Sequence, residues 1–206
     1  MYKKKSLITL VSLLAILCVT VGGTLAFLVD TDGPVTNVFN PSKVTTKVIE
    51  DLNGKTKENV KIMNTGDTDA FIRAAVVVTW QDAQGNVYGQ VPEEGTDKDY
   101  TISYNVSDTV SANCWVEGND GFYYWTSPVA AKTGLTGMLI NSCTALRTKV
   151  VGTGDDAVTY YLTVEIIGSG LQNKPANVFN TEWASSCLKV NDTPQNDPMQ
   201  WTLIRK

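Results

Sequence analysis

Apolar side chains recur at every second position along two stretches of this chain, residues 72–81 and 158–167. They are Ile72, Ala74, Val76, Val78 and Trp80 in the first stretch, and Val158, Tyr160, Leu162, Val164 and Ile166 in the second. A period of two places each set on one face of a β-strand. β-Branched and aromatic residues dominate both stretches, which favours a pleated, half-buried surface. We therefore predict two strands that turn these faces toward a core.

Weaker strand patterns surround these two. They lie at residues 44–50, 59–64, 100–106, 113–117, 121–126 and 137–144. Turn-forming residues separate them at 53–54, 64–67, 84–86, 118–121 and 152–155. About eight strands, each with one apolar face, predict an all-β fold: a two-sheet antiparallel sandwich with jelly-roll-like connections.

A short helix is expected near residues 175–184, because Pro175 begins this stretch and proline is favoured at the first helical position. Phe179 and Trp183, with Val178, would then face the core. We assign residues 43–190 to the sandwich domain. Residues 191–206 begin with a polar stretch that contains two prolines, and we expect them to form a C-terminal extension.

Residues 1–26 have the pattern of a secretory signal peptide. Lysines occupy positions 3–5, and the run 7–21 is apolar without a charged residue. This run of about 15 residues falls short of the roughly 20 that a membrane-spanning helix needs, although a transmembrane anchor is the alternative. We expect cleavage between Ala26 and Phe27, so that the protein is secreted to the cell surface or the extracellular matrix.

Composition limits the partners of the processed chain. Cleavage leaves 206 − 26 = 180 residues, enough for one domain with a sizeable core. It removes three lysines and no acids, so the formal net charge changes from −4 to −7. Such an acidic chain is a poor partner for nucleic acid or anionic membranes.

The cysteines that remain are Cys114, Cys143 and Cys187, and their odd number leaves open three buried thiols or one disulfide with a free thiol.

The absence of histidine from the sequence limits its chemistry. Ser-His-Asp and Cys-His mechanisms and imidazole-based zinc sites are excluded. The carboxylates considered for a glycosidase are Glu93, Glu94, Asp155, Asp156 and Glu165. The first four lie in Gly-flanked turns, and Glu165 lies on the predicted outward face of its strand. We therefore expect no enzyme, no catalytic residue and no cofactor.

Two pairs of aspartates resemble parts of a calcium site. Asp30 and Asp32 start a calcium-loop-like sequence, but Pro41 stands where the loop needs a bidentate glutamate. Asp67 and Asp69 lie in a turn, where aspartate is common without a metal. We therefore expect no metal site.

Aromatic residues leave a binding function open. They include Trp80, Trp115, Trp125, Trp183 and Trp201, together with Tyr123 and Tyr124. Such rings stack on sugars, but they also contribute the largest apolar surfaces to a sandwich core. Tyr124 and Trp125 are predicted to point to opposite faces, so they do not share one sugar platform. A monomeric module that recognises polysaccharide or a host surface is the alternative function.

Several segments carry a family resemblance. The export signal ends in Val21-Gly-Gly-Thr-Leu-Ala-Phe27, which is followed by Asp30-Thr-Asp32. Together with the segments 57–66, 70–74 and 121–125, this pattern resembles the SipW-dependent secreted biofilm-matrix proteins of Gram-positive bacteria, the group of TasA, camelysin and BsaA. The SipW-type export signal peptidase is thus an expected partner.

The resemblance implies a jelly-roll sandwich that polymerises into biofilm-matrix fibres with copies of itself and related matrix proteins. In such fibres an N-terminal segment completes a sheet of the next subunit. That segment would be 27–42, and its candidate strand-donor residues are Phe27, Val29, Val35, Val38 and Phe39. The competing hypothesis is that the segment forms the first strand of its own sandwich, with Gly33-Pro34 as an ordinary turn.

Overall fold

Residues 43–191 and 197–206 are described by a computed structural model, in which they form twelve strands and one short α-helix. The strands are β1 (Thr46–Asn53), β2 (Thr56–Asn64), β3 (Ala70–Gln81), β4 (Val87–Tyr88), β5 (Tyr100–Tyr104), β6 (Trp115–Glu117), β7 (Tyr123–Trp125), β8 (Ile140–Ala145), β9 (Lys149–Val151), β10 (Val158–Gln172), β11 (Leu188–Asn191) and β12 (Thr202–Arg205). The helix α1 spans Ala176–Glu182, and 3-10 turns lie at Gly154–Asp156, Ala184–Ser186 and Pro198–Gln200.

Two antiparallel sheets pack face to face, which confirms the predicted all-β sandwich. The first sheet has the order β1-β2-β8-β5, and the second has the order β6-β7-β3-β10-β9 with β4 beside β3. The predicted turn at Asn53-Gly54 joins β1 to β2. Gly54 has a φ of 60°, a conformation that glycine adopts without steric cost.

Alternating apolar faces fill the space between the sheets. The buried side chains there are Val60, Ile62, Ala70, Ile72, Ala74, Trp115, Trp125, Val129, Leu139, Ile140 and Cys143. Trp80 is 1% exposed, as its strand pattern predicts. Half-buried on the same face are Val76, Val78, Tyr160, Leu162 and Val164. The predicted strand faces are correct, but burial is incomplete at this end because a cleft opens between the sheets.

Described residues cover the outer face of the β3–β10 pair at one end. There α1, β11 and β12 pack on it to form a second core of Phe71, Val116, Tyr124, Phe179, Trp183, Leu188, Val190 and Leu203. The helix predicted near residues 175–184 is therefore confirmed, with Phe179 and Trp183 buried. At the other end, Val77, Tyr161 and Ile167 remain 37%, 53% and 51% exposed.

The C-terminal residues belong to this second core. The strand β12 pairs with β11, and Leu203 is 1% exposed. The backbone N–H of Leu203 also donates to the carbonyl of Thr126 at 2.8 Å. Residues 197–206 are thus part of the folded domain, which corrects the predicted C-terminal extension of residues 191–206. A four-residue strand after a polar stretch is too short for hydrophobic periodicity to identify.

Among the described residues, six strands follow the immunoglobulin order, and the far edge of β10 is only partly covered. The first sheet follows the order A-B-E-D, and β3 and β10 stand where strands C and F stand. The tight Gly54 turn places β2 beside β1 in the same sheet. In the immunoglobulin arrangement a strand G covers the far edge of F. Here β9 covers that edge only at residues 158–160.

Candidate functional site at the free edge of β10

Over most of its length, the strand β10 has one edge that pairs with no other described strand. On one side it pairs with β3 from Tyr161 to Gln172, and on the other side β9 ends its pairing at Tyr160. Within the part of the chain that the structure describes, no strand lies against the second edge at residues 161–172. An edge of this length offers a row of backbone donors and acceptors to an added strand.

Two side chains of the first sheet reach this edge. Lys57 Nζ donates a hydrogen bond to the carbonyl of Val164 at 2.8 Å, and Thr46 Oγ1 donates one to the carbonyl of Gly168 at 2.9 Å. Both carbonyls therefore point away from β3. The two contacts also show that β1 and β2 lie beside the free edge.

Other backbone groups point toward the same side. Backbone direction alternates along an antiparallel strand, so Leu162 and Ile166 direct their N–H and C=O groups as Val164 and Gly168 do. Among the residues described, these groups of Leu162 and Ile166 have no backbone partner on the free side. An incoming strand would therefore find donors and acceptors that are still open.

Glycines allow β1 to approach β10 at one end of the edge. A Cβ on Gly168 would lie 3.1 Å from Thr46 Oγ1, and a Cβ on Gly170 would lie 2.5 Å from Val44 Cγ1. Glycine at these positions permits a close approach that a side chain would obstruct. The two sheets are thus held together at the start of β1, and the cleft opens near its end.

The cleft beside β10 has a volume of about 210 Å³. Its apolar lining includes Leu52, Ala145, Leu162 and Val164, with Cys143. Cationic side chains also line it: Lys55, Lys57 and Arg147. Burial raises the pKa of the Cys143 thiol to about 11, so this group is neutral at physiological pH. The cleft therefore combines an apolar floor with a basic rim.

The predicted processing and donor residues lie outside the described residues. They are Ala26 and Phe27 at the cleavage position, and Phe27, Val29, Val35, Val38 and Phe39 as strand donors. Both assignments stay predictions. What the structure shows is the β10 edge that no described strand covers at residues 161–172.

The acids considered for glycosidase chemistry lie elsewhere. Glu93 forms an exposed ion pair with Lys98 at 2.6 Å. Asp155 and Asp156 are exposed in a 3-10 turn, and Glu165 is exposed on the outer face of β10. None of these acids lines the cleft. The outward orientation predicted for Glu165 is confirmed.

Backbone N–H groups donate hydrogen bonds to the two aspartates of the 67–69 turn. Asp67 Oδ1 accepts a hydrogen bond from the N–H of Lys43 at 2.6 Å, and Asp69 Oδ1 accepts one from the N–H of Ala131 at 2.9 Å. The turn interpretation of both residues agrees with these contacts. Residues 43–191 and 197–206 contain no cluster of three or more cysteine, aspartate or glutamate side chains placed to hold a metal.

A chelator is expected to leave the thermal midpoint Tm of the protein unchanged, because Asp67 and Asp69 bind backbone N–H groups. Circular dichroism melts with EDTA, and then with excess Ca²⁺, measure this. Asp67→Asn is a suitable control, since it keeps an acceptor oxygen for Lys43 and removes the charge that a cation would need. A drop in Tm with EDTA that Ca²⁺ restores, and that Asp67→Asn abolishes, would contradict the expectation.

The aromatic residues mostly pack in the two cores. Trp80, Trp115, Trp125 and Trp183 are buried, and Trp201 is half-buried. Trp125 belongs to the core between the sheets, whereas Tyr124 belongs to the second core, so their predicted opposite orientation is confirmed. Burial raises the pKa of Tyr124 to about 12. These tryptophans therefore do not form an open surface for stacking on sugars.

Sequence reasoning missed the basic rim of the cleft. Lys55 and Lys57 belong to the first β-hairpin and Arg147 to the loop before β9, so Arg147 is distant in sequence from the two lysines. A signal was present only for the other end of the edge, where Gly168 and Gly170 interrupt an apolar strand and such glycines indicate close backbone approach.

Comparisons with protein-family models, with curated proteins and with solved structures found no match to this chain. Among its described residues, no helix is long and apolar enough to cross a membrane.

Proposed function

We propose that this protein is a secreted structural subunit of extracellular matrix fibres, and that subunits join by strand addition. The donor is the segment 27–39 of one copy, and the acceptor is the free edge of β10 in the next. The observation that carries the proposal is that no described strand pairs with the second edge of β10 at residues 161–172, in the place where an immunoglobulin-type sandwich has strand G.

The chemistry of this edge favours an added strand. Unpaired backbone groups form hydrogen bonds with any extended chain, while pockets for alternate side chains select its register. Leu162 and Ile166 supply open backbone groups, and the cleft beside them supplies an apolar pocket. Donor-strand complementation of pilins uses the same combination.

The predicted donor matches the acceptor in length and character. The segment 27–39 has 13 residues, and the free part of β10, 161–172, has 12. Phe27, Val29 and Phe39 are among its apolar residues, and their transfer out of water is favourable. The sequence Asn40-Pro41-Ser42 after the segment suits a hinge between donor and domain.

Deletion of residues 27–39 tests the proposal. A chain that begins at Phe27 is expected to form filaments in negative-stain micrographs and to sediment at high speed. A chain that begins at Asn40 retains every core residue described above, so we expect it to remain folded and monomeric. Circular dichroism monitors folding, and analytical ultracentrifugation measures the mass.

Two results would contradict the proposal. If the chain that begins at Asn40 still polymerises, the segment has no role in assembly. If the chain that begins at Phe27 stays monomeric and loses stability on deletion, the segment is a strand of its own sandwich. A monomer that binds polysaccharide would instead support a binding module.

A substitution in β10 tests the acceptor side separately. Ile166→Pro removes the N–H that points to the free edge, and proline is tolerated at such edge positions. Ile166→Ala is the matched control, since it removes the same side chain from the core but keeps the N–H. We expect Ile166→Ala to polymerise and Ile166→Pro, where circular dichroism shows it folded, to accept no strand.

A further inference from the structure

Two cations at the rim of the cleft have no carboxylate partner in the part of the chain that the structure describes. The described residues contain two ion pairs, Lys57 with Glu50 and Lys98 with Glu93. Lys55 and Arg147 form no ion pair, and the guanidinium of Arg147 donates only to a backbone carbonyl, that of Asp97. Both side chains are exposed.

The charge of this rim is opposite in sign to the net charge of the chain. Residues 27–206 carry a formal net charge of −7, because they contain 21 acidic and 17 − 3 = 14 basic residues. Most of the surface therefore repels a second copy of the protein. The rim of the cleft is a place where an acidic segment of that copy would be attracted.

The predicted donor has the complementary pattern. Its first residues, Phe27-Leu-Val29, are apolar, and Asp30 and Asp32 follow within three residues. The whole segment 27–42 contains these two acids and no lysine or arginine. A chain that places Phe27–Val29 over the apolar floor of a cleft brings both carboxylates to its rim.

We propose that Lys55 and Arg147 recognise Asp30 and Asp32 of the neighbouring copy, and so set the register of the added strand. This inference rests on the proposed function and extends it from an edge that accepts a strand to an edge that selects an acidic one. Leu52, Leu162 and Val164 form the floor for Phe27–Val29. The two ion pairs fix the segment, since a shift of one residue along the edge would reverse the faces of all its side chains.

Charge reversal provides the test. The double variant Lys55→Glu, Arg147→Glu is expected to raise the critical concentration for filaments about 10-fold at low salt, as two attractions become repulsions. The control variant Lys174→Glu, Lys189→Glu makes the same change of net charge at exposed positions outside the cleft. We expect a change of less than about 2-fold for this control, because isolated surface charges contribute little.

A compensating variant makes the assignment specific. Adding Asp30→Lys and Asp32→Lys to the Lys55→Glu, Arg147→Glu chain is expected to restore the wild-type critical concentration. The difference between wild type and the double variant should also shrink at high salt, where ion pairs are screened. Sedimentation of chains that begin at Phe27 measures all four proteins.

The outcomes separate this inference from the proposed function. If the cleft variant behaves as the control does, or if the compensating variant stays impaired, charge recognition is refuted while filaments still support strand addition. If the wild-type chain forms no filaments at any salt concentration, both proposals are refuted.

Discussion

Replacing Trp80 by alanine is expected to lower the free energy of unfolding by about 3–5 kcal/mol. Trp80 is 1% exposed on the inward face of β3. Its backbone lies between Leu162 of β10 and Tyr88 of β4 in the sheet. Truncation loses the transfer free energy of the indole and leaves a cavity that the surrounding strands cannot fill without shifting. Urea denaturation followed by circular dichroism measures the loss.

Two substitutions distinguish this cavity effect from other causes. The indole Nε1 of Trp80 is buried and has no hydrogen-bond partner among the described residues. Trp80→Phe removes this polar atom with only part of the volume, so we expect less than half the loss of Trp80→Ala. Val77→Ala, on the outer face of the same strand, is expected to cost under about 1 kcal/mol. Equal losses at Trp80 and Val77 would show that the strand faces are not distinguished energetically.

Replacing Phe179 by alanine is expected to cost a similar amount, about 3–5 kcal/mol, but to act on a different part of the protein. Phe179 is 1% exposed in α1. Its ring lies edge-on at 5.3 Å from Phe71 and 5.3 Å from Trp183, and at 6.1 Å from Tyr124. Such aromatic pairs contribute about 0.5–1.5 kcal/mol each beyond the burial of area.

The location of the damage should be visible in hydrogen exchange. Phe179 joins α1 to the outer face of β3, so its loss should expose the amides of β11 and β12 before those of β1 and β2. Phe179→Leu keeps most of the volume and is expected to preserve their protection. Uniform loss of protection over both sheets would contradict a separate second core. Because the free edge of β10 lies outside this core, filament formation by folded Phe179→Leu should be unchanged.

The second core also contains an arginine that the sequence pattern did not explain. Arg73 lies on the face of β3 opposite to Ile72 and Ala74, which point into the core between the sheets. Its guanidinium lies 4.0 Å from the ring centre of Phe122 and 4.7 Å from that of Trp183. Aromatic rings thus cover the charge through cation–π contacts, with one weak hydrogen bond to Tyr124 at 3.4 Å. Partners of this kind come from distant parts of the chain and cannot be read from local periodicity.

Local sequence patterns were enough to predict the longest strands and the face that each of them buries. Alternation is a local property, so it located β3 and β10, placed Trp80 inward, and separated Tyr124 from Trp125. The all-β fold class and the short helix after Pro175 were also predicted from local sequence patterns. Where the pattern was short, as in β12, the local signal was too weak, and the predicted C-terminal extension had to be corrected.

The tertiary structure alone decided which edges and faces remain uncovered. Whether β10 has a partner on its second side depends on strands separated from it by many residues, and periodicity carries no information on pairing between distant segments. The same holds for Lys57, whose side chain crosses between the sheets to the carbonyl of Val164, 107 positions away. Among the described residues, the free edge of β10 and the basic side chains of the cleft beside it arise from the packing of the two sheets, and only the assembled sandwich defines them.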